Sequence, residues 1–210
     1  MRFGHLKMAA AAAALAALPA VATAQNVPPS QTMGFYLGAG IGAGRATFNE
    51  STYQPPAGTS WSSDNTELAG KGFVGFRFHK YFGVEGGWDY LGKFKNSYNS
   101  AAGSGEATSK LEAWVLDAIG YLPLSPNFTV IGRMGAANGK LSTSVNGTTP
   151  SNLATTSDTN TNWTWGAGAQ IDVDNHWAFR AEYESFGAFG NTSTGELRAS
   201  LWSASALYKF

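Results

Sequence analysis

Residues Trp202 to Phe210 alternate strictly, with Trp202, Ala204, Ala206, Tyr208 and Phe210 on one parity and Ser203, Ser205, Leu207 and Lys209 on the other. Successive side chains of a strand point to opposite faces, so this is an extended segment with one apolar, aromatic-tipped face. The pattern runs to the last residue, where water-soluble domains are usually frayed and polar. Such a face suits lipid. In a bilayer every backbone N–H and C=O must be paired internally, so only helices and closed barrels span it. After residue 24 no hydrophobic run reaches 18 residues, which excludes a spanning helix and leaves the barrel.

The N-terminus carries an export signal. Arg2 and Lys7 precede an Ala/Leu-rich run from Met8 to Ala20, and Ala22-Thr23-Ala24 is a small-x-small cleavage site. The run is too short and too alanine-rich for an anchor of about 20 apolar residues. We therefore read residues 1–24 as a signal peptide, 25–33 as a linker and 34–210 as one outer-membrane barrel domain. Removing Arg2 and Lys7 takes the chain from a net charge of 0 to −2, so no basic excess draws nucleic acid. Cysteine is absent, which removes disulfide frameworks and thiolate metal sites. With 13% aromatic but only 13% charged residues, and 26 glycines, the composition suits a β-protein with one face in oil.

Eight alternating segments follow, separated by gaps that alternate between long and short. The first, about 34–44, sets Phe35, Leu37 and Ile41 against a run of glycines. The second, about 67–78, puts Leu68, Val74, Phe76 and Phe78 outward and Lys71, Phe73 and Arg77 inward. The third sets Val84, Trp88 and Tyr90 against Glu85 and Asp89. In the fourth, about 111–121, Trp114 and Leu116 share one parity and Ile119 and Tyr121 the other. A one-residue bulge near Asp117-Ala118 is expected to bring them to one face. The fifth sets Val130 and Met134 against Arg133. The sixth sets Trp163, Trp165, Ala167 and Ile171 against Gln170 and Asp172. The seventh sets Trp177, Phe179 and Tyr183 against Arg180, Glu182 and Glu184, and the eighth is the terminal strand. Long polar gaps fall at 46–66, 96–109, 138–162 and 187–195; long loops at one rim and short turns at the other are the layout of outer-membrane barrels. The charged parity is the expected interior. Outward aromatics should form two belts: Phe78, Tyr81, Phe82, Tyr121, Phe128, Trp177, Phe179, Tyr208 and Phe210 near the short turns, and Trp88, Tyr90, Trp114, Trp163, Trp165 and Trp202 toward the long loops.

The stretch Gly83-Val84-Glu85-Gly86-Gly87-Trp88-Asp89-Tyr90-Leu91-Gly92, preceded by Phe73-Val74-Gly75-Phe76-Arg77-Phe78, resembles strands two and three of the OmpA transmembrane domain. Phe179-Arg180-Ala181-Glu182-Tyr183 resembles its seventh strand; Gly120-Tyr121-Leu122-Pro123 and Arg133-Met134-Gly135 resemble its fourth and fifth. The resemblance implies an all-β, eight-stranded antiparallel barrel plugged by interior salt bridges, with Glu85, Arg133 and Arg180 at plug positions. Tyr208 and Phe210 resemble that family's terminal assembly signal. Gln170 stands where the family has a carboxylate and Ala118 where it has a basic residue, so its gating switch is not carried over. The sequence ends with the barrel, so periplasmic tethering is not carried over either.

The interior polar network is expected to comprise Arg77, Glu85, Asp89, Arg133, Gln170, Asp172, Arg180, Glu182 and Glu184. Charges in so narrow a space must pair. No catalytic, cofactor or metal residue is assigned. Gly38-Ala39-Gly40-Ile41-Gly42-Ala43 fits a dinucleotide fingerprint, but no helix N-terminus follows to hold a pyrophosphate; inward glycines more simply make room for long side chains. His79 and His176 fall in short turns, away from the rim where a lipid-directed hydrolase needs its base. Asp172 and Asp174 are too few for a cation site. The expected role is a monomeric barrel, structural or displaying its loops and no enzyme, with outer-membrane lipid, lipopolysaccharide, periplasmic chaperones and the barrel-assembly machinery as partners. The alternatives are a low-conductance pore or small-solute conduit, and an adhesin acting through the loops.

Overall fold

The structure, a computed structural model, describes residues 33–48, 60–100, 103–147, 156–189 and 197–210. The leader and all of the linker except Met33 lie outside the described residues. The strands are β1 (Gly34–Phe48), β2 (Ser60–Asp64), β3 (Thr66–His79), β4 (Phe82–Ser100), β5 (Gly103–Pro123), β6 (Phe128–Gly147), β7 (Thr156–Asp172), β8 (Trp177–Phe189) and β9 (Leu197–Lys209). Each pairs antiparallel with its neighbours. β4 joins β5, and β1 pairs with both β3 and β9, so the sheet closes on itself. Only Asn65 separates β2 from β3, and both lie on β4 (Asp64 opposite Lys95, Gly70 opposite Tyr90). They are one stave, and the barrel has eight.

Closure brings the terminal strand against the first: Leu37 lies opposite Tyr208 and Ala43 opposite Trp202, and Phe210 N–H donates to Phe35 C=O at 3.0 Å. Burial alternates along β9, with Leu201, Ser203, Ser205 and Leu207 inside and Trp202 and Ala204 outside. Leu37, Ile41, Leu68, Val74, Val84, Leu116 and Met134 form an exposed apolar band between aromatic belts. One belt carries Phe35 on Phe76 (4.6 Å) and Trp177 on Tyr208 (5.2 Å); the other carries Trp88 beside Tyr90 (6.3 Å) and Tyr183 against Trp202 (4.8 Å). Ile171 is outward too, but it precedes the last residue of β7 and pairs with Phe128 and Phe179, at the short-turn interface.

Three expectations need correction. The proposed bulge at Asp117-Ala118 is absent: β5 keeps unbroken register with β4 there (Glu85–Asp117, Val84–Ala118) and with β6 along its whole pairing. Ile119 and Tyr121 are simply interior residues, at 1% and 4% exposure, so Tyr121 leaves the outward belt. One register shift sits at the short turn, between Arg77 and His79; those in the upper lumen wall lie between Tyr90 and Gly92 and between Ser185 and Ala188. Each of these last two moves the inward parity by one residue. Thirdly, much of the long polar gaps is strand. β4 pairs with β5 to Ser100–Gly103, β5 with β6 to Gly105–Gly147, and β6 with β7 to Thr143–Thr156. Ser, Thr and Asn are poor apolar markers, but β-branched Thr and cross-strand pairing carry the ribbon onward.

Candidate functional site

The lumen is the site. Its lower part is built from the inward parity of every stave. Glu85 and Asp89 come from β4, Asp117 from β5, Arg133 from β6, Gln170 and Asp172 from β7, Arg180, Glu182 and Glu184 from β8, and Lys71 from β3, all buried. Arg133 is the hub. Its guanidinium is paired with Asp117, lies 3.2 Å from Glu182 and 3.1 Å from Glu184, and reaches Glu85 at 3.7 Å. Lys71 bonds to Glu184 and lies 3.4 Å from Glu182. Thr164 donates its hydroxyl to the second oxygen of Asp117 at 2.7 Å.

Below this, Arg180 pairs with Glu85 and donates to Gln170 Oε1 at 3.0 and 3.2 Å. Tyr36 donates to Glu85 at 2.6 Å and shares a 2.7 Å bond with the hydroxyl of Tyr121. Gln170 passes the chain on to Asp172 (2.9 Å), which takes Lys209 at 3.0 Å near the short-turn mouth. An amide serves where a carboxylate was expected because Gln170 accepts from Arg180 with its oxygen and donates to Asp172 with its nitrogen. Inward glycines make the room. A Cβ at Gly166 would sit 2.9 Å from Arg133 Cγ, one at Gly168 2.8 Å from Glu182 Cγ, and one at Gly75 2.2 Å from the Tyr36 ring.

Arg77 is the member of the expected network that the structure sets apart. It lies at the short-turn mouth, 4.2 Å over the Tyr121 ring, and donates to Lys80 C=O at 2.5 Å. Asp89 is buried across from Lys71 in the β3–β4 register, with Oδ2 unbonded among the described residues. Asp117, Lys71, Tyr36, Tyr121, Thr164 and Lys209 belong to the network but were missing from the expected set. Lys71 carried the signal of inward parity. Asp117 carried it too, had β5 been counted straight through. Asp172 and Asp174 do not converge on a shared point: Asp172 is taken by Gln170 and Lys209, whereas Asp174 accepts the backbone N–H groups of Trp177 and His176, both at 2.7 Å. Those two bonds hold the Asp174 carboxyl below its ordinary range. His79 and His176 lie at the short-turn end, His79 stacked on Phe82 and His176 on Tyr208.

The upper lumen is a second, unforeseen layer. Leu91, Phe94, Leu111, Leu141, Phe186, Phe189, Leu197 and Leu201 are each at most 3% exposed and pack as one apolar cluster with small neighbours such as Ala113 and Ala137. Phe94 and Phe189 enter it because they follow the two register shifts; without the extra residue each would face outward. Leu141 and Phe189 lie in segments expected to be polar loop, which is why reading parity upward from the short turns missed them. Burying such side chains stabilises by about 1.5–3 kcal/mol each; β7 borders the layer with a polar residue, Asn162, opposite Ala137, whose amide donates to Ala188 C=O at 2.6 Å. At the short-turn mouth, a recess of only about 20 Å³ is lined by Tyr36, Arg77, Tyr121, Gln170, Arg180 and Lys209, among others.

Comparison with known proteins fits this architecture. The family described as outer membrane protein beta-barrel domain matches residues 8–210. A 31 kDa outer-membrane immunogenic protein of Brucella melitensis is 29% identical over 192 aligned residues, spanning 79% of this chain and 75% of that protein. Among solved structures, the outer membrane protein OprG of Pseudomonas aeruginosa superposes with a TM-score of 0.54 at 12% identity, over 87% of this chain and 98% of that one. Neisserial surface protein A gives a TM-score of 0.51 at 15% identity, over 84% of this chain and 97% of that one. At those identities the two structures speak to the fold alone.

Proposed function

Since the chain belongs to the outer membrane protein beta-barrel domain family, we propose that it is a sealed structural barrel of the bacterial outer membrane that holds a β-ribbon and loops at the cell surface. The observation that carries this reading is the double filling of the lumen, a paired charge layer below and an apolar cluster above. An eight-stranded barrel is only wide enough for side chains to fill, and these side chains fill it at two heights. The low-conductance pore is the weaker alternative for that reason. The chain does no enzymatic chemistry in this reading: Glu85, Asp117, Glu182 and Glu184 are committed to Arg133, Arg180 and Lys71, Asp172 to Lys209, and both described histidines sit at the short-turn rim. The protein reconstituted in a planar bilayer is expected to show no steady conductance. Regular unitary steps from pure protein would overturn the sealed-barrel reading in favour of the conduit.

A display or adhesin role is favoured by one further feature. The β4–β7 wall continues as hydrogen-bonded ribbon past the Trp belt to Ser100–Gly103, Gly105–Gly147 and Thr143–Thr156, which gives the surface loops a rigid base. The proposed partners are outer-membrane lipid and lipopolysaccharide around the barrel, with periplasmic chaperones and the barrel-assembly machinery on the way in. The protein acts as a monomer in this reading. Tyr208 and Phe210 form the assembly signal: their rings stack edge to face at 5.2 Å beside the β1–β9 closure. Deleting Phe210 should leave precursor in the periplasm, as fractionation would detect; normal outer-membrane levels would count against that assignment.

A further inference from the structure

At the short-turn mouth the charges do not balance. The recess there is lined by three cations, Arg77 of β3, Arg180 of β8 and Lys209 of β9, and by no carboxylate. Arg180 pairs with Glu85, and Lys209 with Asp172. Arg77 has no carboxylate partner among the described residues. Its guanidinium lies on the Tyr121 ring and donates to Lys80 C=O. Its Nε is closed off from solvent and bonds to nothing among the described residues. A buried donor left without a partner is costly, more so on a charged group. One positive charge is therefore left over, on a side chain only partly open to water. Gly34 lies directly opposite Arg77, on the inward parity of Tyr36. It has no side chain to fill the space, and its φ of 149° is one that L side chains rarely adopt.

Two neighbours keep protons to give. Lys209 Nζ donates to Asp172 Oδ1 at 3.0 Å and to Asp174 C=O at 3.2 Å, which leaves a third N–H. Gln170 Nε2 donates to Asp172 at 2.9 Å and keeps a second N–H. The tyrosines contribute none: Tyr36 gives its proton to Glu85, so Tyr121 gives its own to Tyr36. The spare donors edging the recess are thus N–H groups of Arg77, Lys209 and Gln170, and an anion accepts from all of them. Leu207, 1% exposed, supplies an apolar wall, which suits an ion that sheds its water easily. The recess measures about 20 Å³. A single water needs about 10–15 Å³, so there is room for one monatomic ion and not for a phosphate or a sulfate.

We propose that this recess is a binding site for one halide ion, chloride in the cell, held at the short-turn mouth by Arg77 with Lys209 and Gln170. The ion matches the single unpaired charge and takes up the donors that the protein leaves unused. The inference does not depend on whether the lumen conducts. The test uses bromide as the probe, soaked into crystals of the full barrel and located by its anomalous scattering. Wild type should show one bromide in the recess against the Arg77 guanidinium. Arg77→Gln should lose it, while Lys80→Gln, whose side chain lies outward over the Tyr81 ring, should keep it. Chlorine-35 NMR in zwitterionic micelles at about 0.15 M chloride, near physiological ionic strength, carries the same comparison into solution: Arg77→Gln should lose the excess line width that wild type produces. A recess that holds water alone, bromide only on the outer surface (an adventitious ion only), or a bromide unchanged in Arg77→Gln overturns the proposal. The wild-type map decides even if Arg77→Gln does not fold. A conducting barrel with bromide in its mouth would sink the sealed-lumen reading and leave the halide site standing.

Discussion

Arg133 concentrates the argument at the scale of single residues. It is 7% exposed and faces Asp117, Glu182, Glu184 and Glu85. Removing it strands buried carboxylates whose remaining cations are Lys71 and Arg180. Breaking one partner out of a buried pair costs about 3–5 kcal/mol, because the penalty is an uncompensated charge. Lys95 makes the opposite case: it meets Glu106 at 3.5 Å with both side chains well exposed, and such pairs are worth about 0–1 kcal/mol. Urea unfolding from vesicles should therefore separate Arg133→Ala from Lys95→Ala by several kcal/mol; similar midpoints would mean the interior charges are solvated. Most of this centre was legible from parity alone, since Glu85, Arg133, Arg180, Glu182 and Glu184 sit opposite outward apolar residues. Asp117 was not, because a bulge was assigned at its own position to bring Tyr121 outward. The structure keeps Tyr121 inside, where its hydroxyl has Tyr36 to bond. A buried tyrosine with a partner looks, in sequence, like an interfacial one.

At the scale of strands, two register shifts decide what fills the upper lumen. Gly92 makes the first possible. Its φ of 120° is one that L side chains rarely adopt, and a Cβ there would meet Glu67 Cβ at 2.6 Å. Upstream of it Glu85, Asp89 and Leu91 face inward; downstream Phe94 does. Gly92→Val should cost about 1–3 kcal/mol through backbone strain alone, and more if Phe94 is turned outward. The check is the thermal midpoint of wild type against Gly92→Val and Gly86→Val, since Gly86 stays in the regular ladder and its added Cβ would meet only ordinary contacts near 3.9 Å. Equal shifts in the two variants would remove the special role of Gly92. The strands themselves were readable wherever aromatic and β-branched residues alternate with Gly. Their extensions were not: Ser, Thr and Asn look the same in a loop as on the wetted face of a ribbon, and a bulge erases the parity by which the next inward residue would be recognised.

For the whole molecule, the outward alternation, the two belts and the closure of β9 on β1 were all foreseeable, because lipid on one side imposes the same period on every stave. The filling of the lumen was only half foreseeable. Charge announces itself in a sequence, whereas Leu141, Phe189 and Leu197 stand singly among small, polar or charged residues and give no sign of converging. In the reading proposed above the two layers act as seals in series, and that arrangement changes what a single substitution is expected to do. With the charge layer alone, Arg180→Ala would admit ions; with an apolar layer above it, the path remains blocked. Planar-bilayer conductance of four proteins tests this most directly: wild type, Arg180→Ala, Phe94→Ala/Phe189→Ala, and the combination of all three substitutions. We expect the first three to be silent and the combination to conduct. Steady conductance from Arg180→Ala alone would contradict the account, because it would mean that the apolar layer does not close the barrel.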